Sequence, residues 1–166
     1  MSHPTIYSLK SVILWLFLSF FIVACGQKSG SEETEIEIPQ LNDSNIHAFS
    51  LSLGKGYYST ANKLIAAFKA HKQSGDAYKF TQFRNNTWTP AYIKEKKFYQ
   101  AVYQKNKAYI NASNTKPLFL AYENLIYIGV DLKNSLLDKN IELEKEALAS
   151  LKQDKVTIKA ILKAKK

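Results

Sequence analysis

The chain is poor in the residue types that most site chemistry needs. Its 166 residues hold one cysteine, Cys25, and one arginine, Arg84. A single thiol excludes an intramolecular disulfide. A single guanidinium leaves the bidentate grip on phosphate or carboxylate to one position. The other cations are lysines, so surface charge is expected to act diffusely. Histidine is also scarce. His47 and His71 lie 24 residues apart with no cysteine or His-x3-His partner, so zinc ligation is not expected. No Gly-x-Ser-x-Gly elbow and no dinucleotide fingerprint occurs. Gly54-Lys55-Gly56 lacks the spacing and the following Lys-Ser/Thr of a phosphate loop, and reads as a bend or weak spot in a helix. Enzymatic activity, a metal and a cofactor are therefore not expected. No strand-like alternation competes with helix after Gln40, and there is no internal repeat.

What the amino terminus does hold is an apolar run from Ser11 to Val23, preceded by a polar stretch whose positive charges are the terminus and Lys10. A spanning helix needs about 20 residues, and this run is shorter, as in a removable signal. It ends in Ile22-Val23-Ala24-Cys25, which resembles the lipobox of bacterial lipoproteins. The resemblance covers only this first stretch. It implies a signal peptide at 1–24, cleavage before Cys25, a diacylglyceryl group on the Cys25 sulfur and an acylated (palmitate-type) amino terminus. Each buried methylene contributes about 0.8 kcal/mol, so two or three chains make a permanent membrane anchor. Gly26-Gln27 stands where an aspartate would favour inner-membrane retention. The resemblance therefore implies an outer-membrane lipoprotein facing the periplasm. Export also argues against nucleic acid as a partner.

Residues 25–40 are expected to be a lipidated cysteine and a disordered tether, because this polar, acidic stretch has too few large apolar side chains to offset its ordering entropy. Residues 41–166 are expected to form one all-α domain, a three- or four-helix antiparallel bundle. The first stripe runs through Ile46, Phe49, Leu53, Tyr57, Ala61, Leu64 and Phe68. Asp43 or Ser44 could cap it, and Gly75 suits its end. Thr89-Pro90 reads as a second start, with Trp88 and Ile93 placed for a hydrophobic staple. Tyr92, Phe98, Tyr99, Val102, Tyr103, Tyr109 and Ile110 share a face there. Asn106 falls on that face, so it should be a satisfied buried polar group or a water contact. Pro117 opens the most apolar helix, with Leu125 at the centre of its arc and Leu137 at the edge. Asp138–Asn140 is either a turn or the middle of a longer helix. The last stripe holds Leu143, Ala147, Leu148, Leu151, Ile158, Ile161 and Leu162.

Two features carry the functional reading. Residues 76–89 read as a long aromatic loop on the end of the bundle, or as a binding loop in which Arg84 and Trp88 meet a partner. From Lys55 to Lys116, eleven lysines and Arg84 stand against Asp76 and Glu95 alone. Lys94, Lys97 and Lys105 fall outside the apolar stripe and should form an exposed positive face. The expected function is that of an envelope lipoprotein whose basic domain is a protein-interaction module. The alternative is electrostatic binding of anionic envelope polymers, peptidoglycan or lipopolysaccharide. An exposed apolar patch would mark the first, and a lysine field without one the second.

Overall fold

Apolar residues spaced three or four apart gather into four long helices and two short ones in a computed structural model that describes residues 37–164. The signal segment, Cys25 and the tether up to Ile36 lie outside the described residues. Helix α1 spans Ile46–Gln73 and buries its stripe from Ile46 to Phe68, except that Phe49 stays half-buried against the core. Neither Asp43 nor Ser44 caps it. Asn45 holds the cap position without a side-chain bond, and Asn42 Oδ1 folds the preceding turn by accepting from the Ser44 amide at 2.9 Å. The Asp43 carboxylate is taken instead by the Tyr109 hydroxyl at 2.6 Å. Gly75, at φ 70°, ends the helix in the left-handed region that costs glycine nothing.

The stretch read as a loop is helical. Asp76 accepts from the Lys79 amide and starts α2, Ala77–Phe83. A π-helical turn, Arg84–Trp88, then leads without a break into α3, Thr89–Lys105. Thr89-Pro90 is thus a passage through a continuing helix. Pro90 is tolerated because the wider turn before it already disrupts the regular bonding. The staple does not form, since Trp88 is buried while Ile93 is exposed. The face expected to run from Tyr92 to Ile110 is broken at Asn106, after which α4 spans Lys107–Ala112.

Helix α5, Lys116–Leu137, buries Leu118, Tyr122, Leu125, Gly129 and Leu132 as its spacing predicts. It also buries Ala121, Ile128 and Ser135. Leu137 lies 49 % exposed and does not widen the arc. Asp138–Asn140 is a turn: Lys139 takes φ 52°, and Asn140 caps α6, Ile141–Lys163, through the Leu143 amide. Among the described residues, no helix is long and apolar enough to cross a membrane.

Side-chain pairings set the directions. Tyr58 donates to the Lys155 carbonyl, and Lys72 meets Glu144 at 2.5 Å, so α1 and α6 run antiparallel. Thr60 meets Glu95 while Gly56 lies against Tyr99, and Tyr92 meets the Tyr122 and Glu123 carbonyls while Tyr103 meets Phe119, so α3 runs against both α1 and α5. Helix α1 continues unbroken through Gly54 and Gly56. A Cβ on Gly54 would sit 2.8 Å from a Leu162 methyl, and one on Gly56 would sit 2.6 Å from the Tyr99 hydroxyl. They are the points where α6 and α3 approach closely.

The domain begins earlier than residue 41. Ile38 packs on the core and Leu41 is buried within it. Asn106 holds this strap: its Oδ1 accepts from the Leu41 amide at 2.7 Å and its Nδ2 donates to the Pro39 carbonyl at 2.9 Å. Lys105 Nζ reaches the Ile38 carbonyl at 2.5 Å. The last three residues of the expected tether, 38–40, therefore belong to the folded domain.

Candidate functional site

Helix α3 turns Lys96, Tyr99, Gln100, Tyr103 and Gln104 to one side, a spacing of three and four that makes a continuous wall. Across from it, α5 presents Phe119, Leu120, Tyr122 and Glu123. Between the two walls lies a cavity of ≈ 210 Å³. Its floor is aromatic. Tyr122 meets Tyr99 edge to face at 4.7 Å between ring centres, and Phe119 meets Tyr103 at 5.5 Å and Phe49 at 5.9 Å. Tyr122 also stacks on Tyr92, which stacks on Trp88. Such pairs each contribute about 0.5–1.5 kcal/mol beyond their buried area, so the floor is rigid before any ligand arrives.

Polar groups fix the floor from below and line the rim above. The Tyr122 hydroxyl donates to Glu95 Oε2 at 2.6 Å, and the Thr60 hydroxyl reaches the same oxygen at 3.2 Å. Burial, then the bond to Glu95, pushes the Tyr122 phenol well above its ordinary value, so it stays a neutral donor. On the rim, Glu123 Oε1 lies 3.4 Å from Gln100 Nε2 and 4.0 Å from Lys96 Nζ. Leu120 stands 51 % exposed at the mouth. An apolar floor, an exposed leucine and a rim of amides with one ion pair suit the capture of an apolar group.

The residues singled out from the sequence do not converge here. Trp88 is 3 % exposed. Its indole N–H donates to the Thr60 carbonyl at 2.9 Å, and its ring edge lies against Gly129, where a Cβ would come within 3.3 Å. It is a core residue with a satisfied polar handle, and the expected grip on a partner through Trp88 is corrected accordingly. Arg84 lies half-buried beside it. Its Nη1 donates to Asn85 Oδ1 at 2.9 Å, its Nε is buried without a hydrogen-bond partner, and burial lowers its pKa. Lys94 and Lys97 are exposed on the outer side of α3. Lys105 is exposed but spends its ammonium on the strap, so it belongs to the fold as much as to a charged face. Arg84 and Trp88 sit together, and the three lysines lie apart from them.

A wider groove of ≈ 440 Å³ separates α1 from the π turn and α3, with Ala66, Ala67 and Ala91 on its walls. Of its three aromatic side chains, Trp88 and Tyr92 are almost sealed and Phe83 is half-buried. A third, more open groove beside α6 also shows an exposed apolar side chain, Val156, with Tyr58 on its wall. Among the described residues, the α3–α5 groove is the one that sets an exposed leucine over a floor of several packed aromatic rings. One sequence signal pointed to it. Leu118 to Tyr122 are five apolar residues in a row, and a helix facing one core must turn at least one of them outward. No family model, curated protein or solved structure matches the chain.

Proposed function

We propose that this chain is a lipid-anchored protein of the bacterial envelope, attached through Cys25 to the outer membrane and facing the periplasm, whose basic helical domain is a protein-interaction module. The Ile22-Val23-Ala24-Cys25 resemblance supports the anchor. The observation that carries the binding role is Leu120, half-exposed at the mouth of the aromatic-floored α3–α5 groove. A partner that inserts an apolar side chain beside Leu120 gains the burial of both, with the rim excluding water. The lysines of α3 favour a partner of acidic surface by raising the rate of encounter.

A photo-crosslinking amino acid at position 120 of the processed protein tests this in its own envelope. The expected product is a discrete protein adduct, identified by mass spectrometry, with none from the same group at Gln73. Equal adducts from both positions, or none from position 120, defeat the reading. One observation favours the polymer alternative. Lys94 and Lys97 are exposed, and among the described residues neither has a carboxylate within 4.0 Å. Reversal of both to glutamate abolishes co-sedimentation with purified peptidoglycan or lipopolysaccharide under that alternative, and leaves the adduct at position 120 intact under the main one.

A further inference from the structure

Acids and lysines are sorted along the bundle axis. Helices α3 and α6 finish at the end where the strap docks, α5 begins there, and the short α4 connects α3 to α5. Lys105, Lys107, Lys116, Lys159 and Lys163 gather at or near that end as a consequence of topology. Of these, Lys105, Lys107, Lys159 and Lys163 are exposed and Lys116 is half-buried. Among the described residues, the carboxylates of that end are Glu37 and Asp43, and Asp43 is already bound by Tyr109. The far end is different. Asp76, Asp131, Asp138, Glu142, Glu144 and Glu146 collect there, and Lys72, Lys79 and Lys145 pair with Glu144, Asp76 and Glu142. No strap-end lysine has a carboxylate within 4.0 Å among the described residues. Among the described residues, one end of the bundle pairs lysines with carboxylates, and the other carries lysines without such partners.

That other end is also where the chain enters. Ile38 is fixed at the end of α3 by Lys105, and Pro39 by Asn106. Residues 26–37 separate Cys25 from Ile38 in sequence, and a chain of that length spans at most about 40 Å. Helix α1 is itself about 40 Å long at 1.5 Å per residue. A lipid at Cys25 therefore brings the strap end close to the membrane more readily than the far end.

We propose that the strap end is a membrane-docking surface, and that Lys107, Lys116, Lys159 and Lys163 contact the phosphates of anionic lipid headgroups. The proposal rests on lipidation of Cys25. Each lysine held at an anionic surface strengthens association about fivefold, and the effect fades beyond a Debye length. Docking fixes the bundle upright on the membrane. The charge-paired far end then projects outward, and the α3–α5 groove opens sideways along the surface.

Energy transfer to a headgroup-labelled lipid tests the orientation. The processed full chain carrying Ala108→Cys or Gln73→Cys is dye-labelled and placed in vesicles of phosphatidylcholine, with or without phosphatidylglycerol. The expected result is severalfold greater transfer from position 108 than from position 73 in the anionic vesicles. The difference should collapse at about 1 M salt, where screening cuts in within about 3 Å. It should also collapse in Lys107→Glu/Lys163→Glu, and survive in Lys69→Glu/Lys139→Glu. Equal transfer from both positions, or greater transfer from position 73, overturns the proposal. Labelling of the parent chain at Cys25 in the same preparation would instead show that the anchor itself is missing, so the two failures are distinguishable.

Discussion

Asn106→Ala should release the strap and cost about 2–4 kcal/mol. The side chain is 2 % exposed and makes three hydrogen bonds, to the Leu41 amide, the Pro39 carbonyl and the Val102 carbonyl. Two of the losses are modest. The Val102 carbonyl keeps its bond from the Asn106 backbone amide, and the Pro39 carbonyl can reach water at the edge of the domain. Each of these two losses lies at the low end for a hydrogen bond, about 0.5 kcal/mol. The Leu41 amide suffers most. It is buried beside a buried side chain, and leaving it without an acceptor costs about 1–3 kcal/mol. Urea denaturation followed by circular dichroism should show a midpoint lower by about 1–2 M at unchanged slope. Hydrogen exchange at Leu41 should speed up by more than exchange in the middle of α5. A loss below about 0.5 kcal/mol, or unchanged protection at Leu41, would refute the view that Asn106 holds the strap.

Other consequences are equally direct. Leu125→Ala, at a fully buried position in the centre of α5, should cost about 2–5 kcal/mol in the same assay, and a neutral outcome would place the core elsewhere. Gly56→Ala should destabilise despite better helix propensity, because its Cβ meets a Tyr99 side chain packed against Tyr122 and Phe49, whereas the Cβ of Gly54→Ala clashes with the far end of the flexible Leu162 side chain, meets Ile158 at an ordinary 3.6 Å and should be tolerated. Burial pushes the phenols of Tyr57, Tyr92 and Tyr122 well above the ordinary value, reinforced by Asp154, Glu123 and Glu95 respectively. Above about pH 10 the unfolded chain releases protons that the native chain keeps, so stability should fall as pH rises. Absorbance titration should find these three phenols ionising only as the protein unfolds, and early ionisation of every tyrosine from Tyr57 to Tyr127 would contradict the burial.

The long helices were legible because one core imposes one stripe, and the stripe from Ile46 to Phe68 repeats over seven positions without a competing pattern. Asn106 was legible as a buried polar group, since a lone amide on an apolar face must find partners. Its partners were not, because they lie in a strap separated from it by more than sixty residues. The strap itself hid in an acidic stretch whose composition argued for disorder. Residues 77–88 were misread because Asn85-Asn86 and scattered aromatics carry no clean period. A π turn joins the two helices there, and Trp88 falls four residues before Tyr92 on the buried face of α3, a spacing that the reading of 76–89 as a loop concealed. The burial of Trp88 moved the candidate site to α3 and α5. The glycines of α1 gave no hint of their role, since close approach depends on what the facing helix presents.

Everything proposed for this chain depends on where it is held, and intact mass spectrometry of the protein purified from membranes tests that most directly. The account predicts a polypeptide beginning at Cys25, heavier than its sequence by a diacylglyceryl group and an amide-linked acyl chain, and an unprocessed precursor that keeps residues 1–24 in Cys25→Ser. A terminus at any other residue, or an unmodified Cys25, would contradict it.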